Sequence, residues 1–442
     1  MPVSRRVASD VLAEIRRKTE GIGLTARLAS RSPEEMPLPT AIPRDRKTQS
    51  CLAQRRAFIE KTGGPLTVLT GKRTVAPEDG FRGNIENFVG LAQVPVGVIG
   101  PLRINGLHAH GDFYVPLATT EGALVASHAR GAAAIGRAGG ARALCMMQRV
   151  TRAPLFGFAD MVEAGLFVAF ALDEFAELQR LAAETTRHGR LEDLRVHWDG
   201  NLVYLLCDYS TGDAAGQNMV TIATARVVEY LARASPVKPR FFAVESNLSG
   251  DKKASMLAFQ YVRGRRVVAE VELPRAVVEE TLHTTPEAME GYWKAAFVAA
   301  SQAGTIGMQG QFANGLAALF IACGQDAACV AEAAVGNCRF ETTSSGLYVS
   351  VCLPNLILGT VGGGTGTPTA RECLGLLGCV GDGKAGKLAE IAAALVLAGE
   401  ISINAALANG RFARAHATFG RRGVSGLASD LEPASASCVP GS

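Results

Sequence analysis

The chain has 442 residues and a mass of 46.3 kDa, more than one ordinary core accommodates, so two or three domains are expected. Hydrophobic residues make up 48% and charged residues 19%, which excludes a mainly disordered chain. A net charge of +4 is too mild to argue for nucleic acid, so any anion site must be local.

In chain order, residues 1 to about 60 place basic and apolar positions at helical spacing, broken by LPTAIPRD, and predict a small helical region. From Ile85 to Leu102 the segments are apolar and punctuated by Gly and Pro, which suits strand and tight turn. Residues 122–143 are rich in Ala and Gly and predict a central, closely packed buried helix. Between Pro154 and Val244 strand-like pieces (LFVAFAL, NLVYLLCDY, FFAVE) alternate with helix-like ones (DEFAELQRLAAET, and about Gln217–Arg233), the pattern of a small α/β or α+β unit. A long helical stretch is expected over Pro286–Val335, then an uncharged glycine-bent core segment over Thr342–Ala370, then a helix over about Ala385–Asn409. The small, polar residues from Gly423 onward predict a flexible tail.

The ten cysteines are scattered and form no Cys-x-x-Cys pair, so neither a zinc ribbon nor a dithiol redox centre is expected. The N-terminus carries no apolar signal core, and the uncharged Thr342–Ala370 stretch is broken by Pro354 and glycines. The expectation is a soluble cytoplasmic protein with reduced thiols, no metal, no membrane and no nucleic-acid partner.

Taken singly, the chemical candidates read two ways. Glu121, in ATTEGALVAS, reads first as a carboxylate at a helix start; Lys252 and Lys253 follow Asp251 in a polar loop, where two adjacent lysines are usually just solvated. Asp326 stands in an apolar setting, where a carboxylate costs free energy unless paired. His416 lies among basic residues. The GTVGGGTGTP run (Gly359–Pro368) lacks the Gly-Lys-Ser/Thr of a phosphate loop. GDAAGQNMV (Gly212–Val220) precedes a helix whose N-terminus could receive a pyrophosphate, and TTRHGR (Thr185–Arg190) could hold a phosphate or cap a helix.

Taken in order, ENFVGLAQVPVGVIGPL, VPLATTEGALVAS, TGDAAGQNMV, DKK, IACGQDAA, GTVGGGT and ARAH resemble the hydroxymethylglutaryl-CoA reductase family, of the class found in eukaryotes and archaea. The resemblance is colinear from about Glu86 to Arg421. It implies an NADPH-dependent reduction of a CoA thioester to an alcohol in two hydride steps, with coenzyme A as part of the substrate. Lys252 would stabilise the developing oxyanion, Glu121 would act as general acid, Asp326 would join both in a hydrogen-bonded network, and His416 would protonate the departing thiolate. Arg152, Lys253, Asn314 and Glu86 fall at substrate-side positions, Arg152 and Lys253 at those that meet the acyl carboxylate. Thr186 and Arg187 match a pair that holds the 2′-phosphate, and Asp213, Gly216, Gln217 and Asn218 would lie against the pyrophosphate and ribose.

The implied fold class is α+β. A large helix-centred domain (85–153 and 245–421) is interrupted by a small ferredoxin-like α/β cofactor-binding domain (154–244), with a helical N-terminal region (1–84) and a tail (422–442). The implied assembly is a homodimer or homotetramer with active sites between subunits. Three departures stand out. Glu245-Ser246-Asn247 replaces Ser-Gly-Asn ahead of the lysine, Ala214-Ala215-Gly216-Gln217 replaces Ala-Met-Gly-Met, and the nearest counterpart of a further substrate lysine, Lys294, lies beside a compensated gap. Glu245 motivates an alternative, a reductase of a related acyl-CoA thioester. A non-catalytic paralogue is the remaining alternative, against which the joint presence of Glu121, Lys252, Asp326 and His416 stands.

Overall fold

A computed structural model of the chain describes residues 5–43, 49–76, 81 and 83–410. Eleven strands are present among them: β1 (Val96–Gly106), β2 (His110–Ala118), β3 (Ala141–Arg152), β4 (Leu155–Gly157), β5 (Arg190–Asp199), β6 (Leu202–Ser210), β7 (Phe241–Ala243), β8 (Gly264–Pro274), β9 (Gly307–Met308), β10 (Gly336–Thr342) and β11 (Gly346–Leu356).

The sheet order follows from which strands are apolar on alternate residues. In β8, Val267, Ala269, Val271 and Leu273 all point inward and are buried, the period of two that half-covered strands require. β8 lies antiparallel between β3 (Ala143 opposite Ala269) and β11 (Val271 opposite Val349); β10 extends this side antiparallel to β11, and β9 parallel to β10. The β1–β2 hairpin joins through a short parallel pairing of β1 with β3. β3 is long enough to serve twice: its last residues, Val150–Arg152, leave β8 and pair antiparallel with β6. β6 also pairs antiparallel with β4 and β5, and β4 with β7.

Two large apolar clusters result. One unites β1, β2, β8, β10 and β11 with the helices Leu124–Arg137, Phe312–Ala322 and Ala385–Ala408. The other lies under β4, β5 and β6 and takes Phe156, Phe158, Phe167, Leu178, Val227 and Leu231 from the strands, connecting loop and helices of the 154–244 stretch. A small third cluster seats the N-terminal segment through Ile59, Leu66, Tyr114 and Leu376. That segment is also tied by Arg103, whose fully buried guanidinium pairs with Asp112 at 2.8 Å and donates to the carbonyls of Arg31, Met36 and Pro37.

The helix Ala385–Ala408 runs through the larger cluster and is buried along nearly its whole length. Its small residues allow the helix Leu124–Arg137 to approach so closely that a Cβ on Gly131 would lie 1.8 Å from the Ala398 carbonyl oxygen. By length and composition it is the one helix among the described residues that could cross a membrane. Two glutamates interrupt its apolar run, and both are paired. Glu390 accepts from the backbone N–H groups of His108, Ala109 and Cys145 at 2.7, 2.7 and 3.0 Å; Glu400 accepts from those of Gly310 and Gln311 at 2.8 and 2.6 Å.

Two expectations are corrected. LFVAFAL is not a strand but part of the helix Met161–Asp173. Asp160 caps it by accepting from Val162 and Glu163 N–H, while Glu163 accepts from Ala159 N–H at 2.9 Å, one residue before the cap, and these bonds fix a helix start despite the β-like composition. The stretch Pro286–Val335 is not one helix. It is cut after Gln302, where Gly304 and Gly307 take φ of 71° and 86°, and resumes as Phe312–Ala322.

Candidate active site

The loop between β7 and β8 carries Asp251, Lys252 and Lys253. Three of its residues, Asn247, Gly250 and Lys252, take left-handed φ of 68°, 74° and 56°. For Asn and Lys this conformation costs free energy and persists only where surroundings enforce it. Here the enforcement is visible: the Lys252 backbone N–H donates to Glu332 Oε1 at 3.1 Å, and Glu332 is almost completely buried. Burial pushes the Glu332 carboxyl upward, and the neighbouring Arg263 guanidinium opposes that shift. Arg263, equally buried, bonds Glu332, the Gln217 side chain and, at 2.7 Å, Asp251 Oδ1.

Aimed by that loop, Lys252 Nζ lies 2.7 Å from Asp326 Oδ2, with both side chains about two-fifths exposed at 42% and 41%. The hydrogen bond to Asp326 raises the Lys252 ammonium above its ordinary value, against the opposing effect of desolvation. Asp326 is itself fixed, because its other oxygen accepts from Ala328 N–H at 3.0 Å and caps the turn Ala327–Cys329. The outcome is a charged amine, held and yet open to solvent.

Glu121 has a different partner. It precedes the helix Leu124–Arg137, and its carboxylate accepts from Asn314 Nδ2 at 2.8 Å, at the start of the helix Phe312–Ala322. Among the described residues no ion pair joins Glu121 to Lys252, so the expected three-membered network is present within one chain only as Lys252–Asp326. Glu86 is exposed in a turn ahead of β1. His416 lies outside the described residues.

Arg152, at the end of β3, is buried and directed at the same loop. Its Nη1 bonds Asp251 Oδ2 at 2.9 Å and Glu245 Oε2 at 3.1 Å, and its Nη2 reaches the Gln217 carbonyl oxygen at 3.3 Å. Lys253 is exposed and donates to the Asp251 carbonyl oxygen at 2.9 Å.

Among the residues expected to meet the cofactor, Thr186 Oγ1 accepts from the N–H groups of His188 and Gly189 at 3.1 and 3.2 Å, folding a tight turn that presents Arg187 to solvent. Asp213 caps the central helix, accepting from Gly383 and Ala385 N–H at 2.7 and 2.9 Å. Gly216 takes φ of 78°, and a Cβ there would lie 2.4 Å from the Thr211 side chain. Asn218 is exposed in the first turn of the helix Gln217–Ala234, whereas the Gln217 side chain turns inward to Arg263.

Glu332 and Arg263 were missed from the residues alone. Glu332 had the signal used for Asp326, a lone acid in an apolar run. Arg263 lies among other arginines in YVRGRR, with nothing to distinguish it.

Known proteins resemble this chain along most of its length. A family model described as hydroxymethylglutaryl-coenzyme A reductase matches residues 51–421. The 3-hydroxy-3-methylglutaryl-coenzyme A reductase of Aeropyrum pernix is 44% identical over 377 residues, covering 84% of this chain and 89% of that protein. That of Pyrococcus abyssi is 43% identical over 376 residues, covering 83% and 92%, and reductase 1 of Dictyostelium discoideum is 34% identical over 387 residues, covering 83% and 68%. The fold resembles that of a class II 3-hydroxy-3-methylglutaryl-CoA reductase from Streptococcus pneumoniae bound to NADPH, with a TM-score of 0.64 at 19% identity over 82% of this chain and 97% of that one.

Proposed function

Because this chain belongs to the hydroxymethylglutaryl-coenzyme A reductase family, we propose that it reduces 3-hydroxy-3-methylglutaryl-CoA to mevalonate and CoA with NADPH. The observation that carries the reading is the 2.7 Å Lys252–Asp326 pair, set on a strained loop and open to solvent. A thioester carbonyl brought to that amine meets a cation where negative charge develops on oxygen, the arrangement that stabilises an oxyanion without reorganisation. Asp326 orients the amine and keeps it protonated. Glu121, held by Asn314, is the general acid for the aldehyde oxygen, and His416 is assigned the proton for the CoA thiolate. Arg152 and Lys253 stand at the positions of the cations for the acyl carboxylate, with Lys253 the exposed one.

The turn Thr186–Gly189 suits a phosphate dianion: Arg187 is exposed, and among the described residues no carboxylate pairs with it. Thr186 and Arg187 would hold the 2′-phosphate of NADPH, and Asp213–Asn218 would line the dinucleotide. Bound NADPH supplies the hydride; the residues named here bind, orient and move protons.

A division into 1–84, 85–153 with 245–421, 154–244 and a tail 422–442 is part of this reading. The separate apolar cluster and the antiparallel order β7-β4-β6-β5 support a ferredoxin-like cofactor unit. That no ion pair or hydrogen bond among the described residues links Lys252–Asp326 to Glu121–Asn314 within one chain supports a homodimer or homotetramer whose site is completed across an interface. A location in the cytoplasm fits this assignment.

The test is steady-state oxidation of NADPH and of NADH with 3-hydroxy-3-methylglutaryl-CoA, for the wild type and Lys252→Ala. Loss of an oxyanion partner is expected to lower turnover by at least about a hundredfold with the fold intact. Turnover of the variant within tenfold of wild type would sink the assignment of Lys252.

A further inference from the structure

We propose that Glu245 sets the acyl preference of the site by supplying, from the chain itself, the carboxylate that Arg152 would otherwise take from the substrate. This inference rests on the reading of Arg152 as an anchor for the acyl carboxylate. Arg152 has little to offer an incoming carboxylate: it is 5% exposed, and its Nη1 is already shared by Glu245 and Asp251. Its Nε is buried without a partner, so the guanidinium is not bonded as a symmetrical two-pronged fork. Glu245 is in turn gripped by its own loop. Oε1 accepts from Ser246 N–H, Asn247 N–H and Ser249 Oγ at 3.0, 2.8 and 3.0 Å, while Oε2 faces Arg152 and Ala153 N–H. A carboxylate with donors on both oxygens does not swing aside readily, because each donor it leaves would have to be resolvated in a partly buried loop.

Charge counting points the same way. The contiguous cluster contains two cations, Arg152 and Arg263, and three carboxylates, Glu245, Asp251 and Glu332. Lys253, whose ammonium reaches the Asp251 carbonyl oxygen at 2.9 Å, makes up the balance, so an acyl carboxylate would leave one negative charge in excess. With a serine at 245 the same carboxylate would bind with the charges balanced. Glu245 therefore acts through Arg152 as a positioning and specificity-determining residue.

The experiment compares two thioesters on the full chain with NADPH: 3-hydroxy-3-methylglutaryl-CoA and its analogue with the terminal carboxylate converted to carboxamide. Wild type is expected to discriminate between them by no more than about tenfold in kcat/KM. Glu245→Ser and Glu245→Gln should each shift the ratio about tenfold toward the carboxylate, through KM rather than kcat, since like-charge repulsion is what they remove. Glu245→Gln keeps a side-chain carbonyl for Ser246, Asn247 and Ser249, so it reports even if the serine variant unfolds. A wild-type preference for the carboxylate above a hundredfold overturns the inference, as does an unmoved ratio in folded variants. A parallel loss on both thioesters, restored by Gln, reduces Glu245 to a staple of its loop and likewise overturns it. Should wild type reduce neither thioester, the function proposed above falls, and this inference with it.

Discussion

Lys252 illustrates how a single side chain is made into a tool. An isolated lysine in a polar loop is solvated and mobile. Here a left-handed backbone, a buried carboxylate behind its N–H and an aspartate in front of its amine together fix where the charge lies. Arg187 is the opposite case, a cation left without a carboxylate partner among the described residues. Replacing Arg187 by Ala should weaken NADPH by about tenfold or more and NADH far less, because only the former carries the 2′-phosphate. Equal losses in the two Kd values, read by fluorescence titration, would remove Arg187 from the cofactor site. The DKK and GQDAA segments, ambiguous singly, were legible because they stand in colinear order with the other segments that carry the resemblance. The partners of Glu245 were not. Three of its donors are backbone N–H or hydroxyl groups of a loop whose geometry depends on three left-handed residues, a fourth is the Ala153 N–H just after β3, and nothing in ESNLSG announces them.

At the scale of elements, periodicity located the apolar helices and strands but not their interruptions. LFVAFAL carries no charge to mark a helix face, and the Asp160 cap, with Glu163 three residues on, was the decisive signal. The Ala- and Gly-rich segment around Gly131 was legible as a closely packed helix, and the contact explains the composition. Gly131→Ala should destabilise the protein by about 1–3 kcal/mol, against the slight gain alanine gives an exposed helix, because the added methyl meets the Ala398 carbonyl oxygen. Thermal denaturation measures it, and an unchanged or raised Tm would contradict the packing.

Glu390, in the partner helix, makes the fold sensitive to pH. Burial raises its carboxyl to about 7 from the ordinary 4.5, against three backbone donors that favour the charged form. The folded state thus holds a proton that the unfolded chain has released over that interval. Its contribution is complete below about pH 4.5 and is lost as pH rises to about 7, roughly 3 kcal/mol in all. Glu390→Gln should flatten this part of the stability–pH curve in urea titrations; an identical slope in the variant would refute it.

For the whole molecule, the two half-sites matter most. If Lys252 and Glu121 serve one site from different subunits, inactive Lys252→Ala and inactive Glu121→Gln chains should complement each other when mixed during refolding. Half of randomly formed dimers are mixed and each has one intact site in two, so about a quarter of wild-type activity should return. Activity no higher than in the separate variants would place both residues in one subunit. The double use of β3 was not legible, because a strand that changes partners at Val150 reads the same as one that does not. The burial of Ala385–Ala408 has a consequence for the newly made chain. Until the sheet closes around it, this segment is a 24-residue apolar helix, long enough for a bilayer and open to the machinery that inserts such helices. Glu390 and Glu400 lie within it, and a charged group near the middle of a spanning helix costs roughly 2.5–3.5 kcal/mol to insert. The two carboxylates that staple loops in the finished protein are also what makes lipid the poorer destination while the protein is still being synthesised.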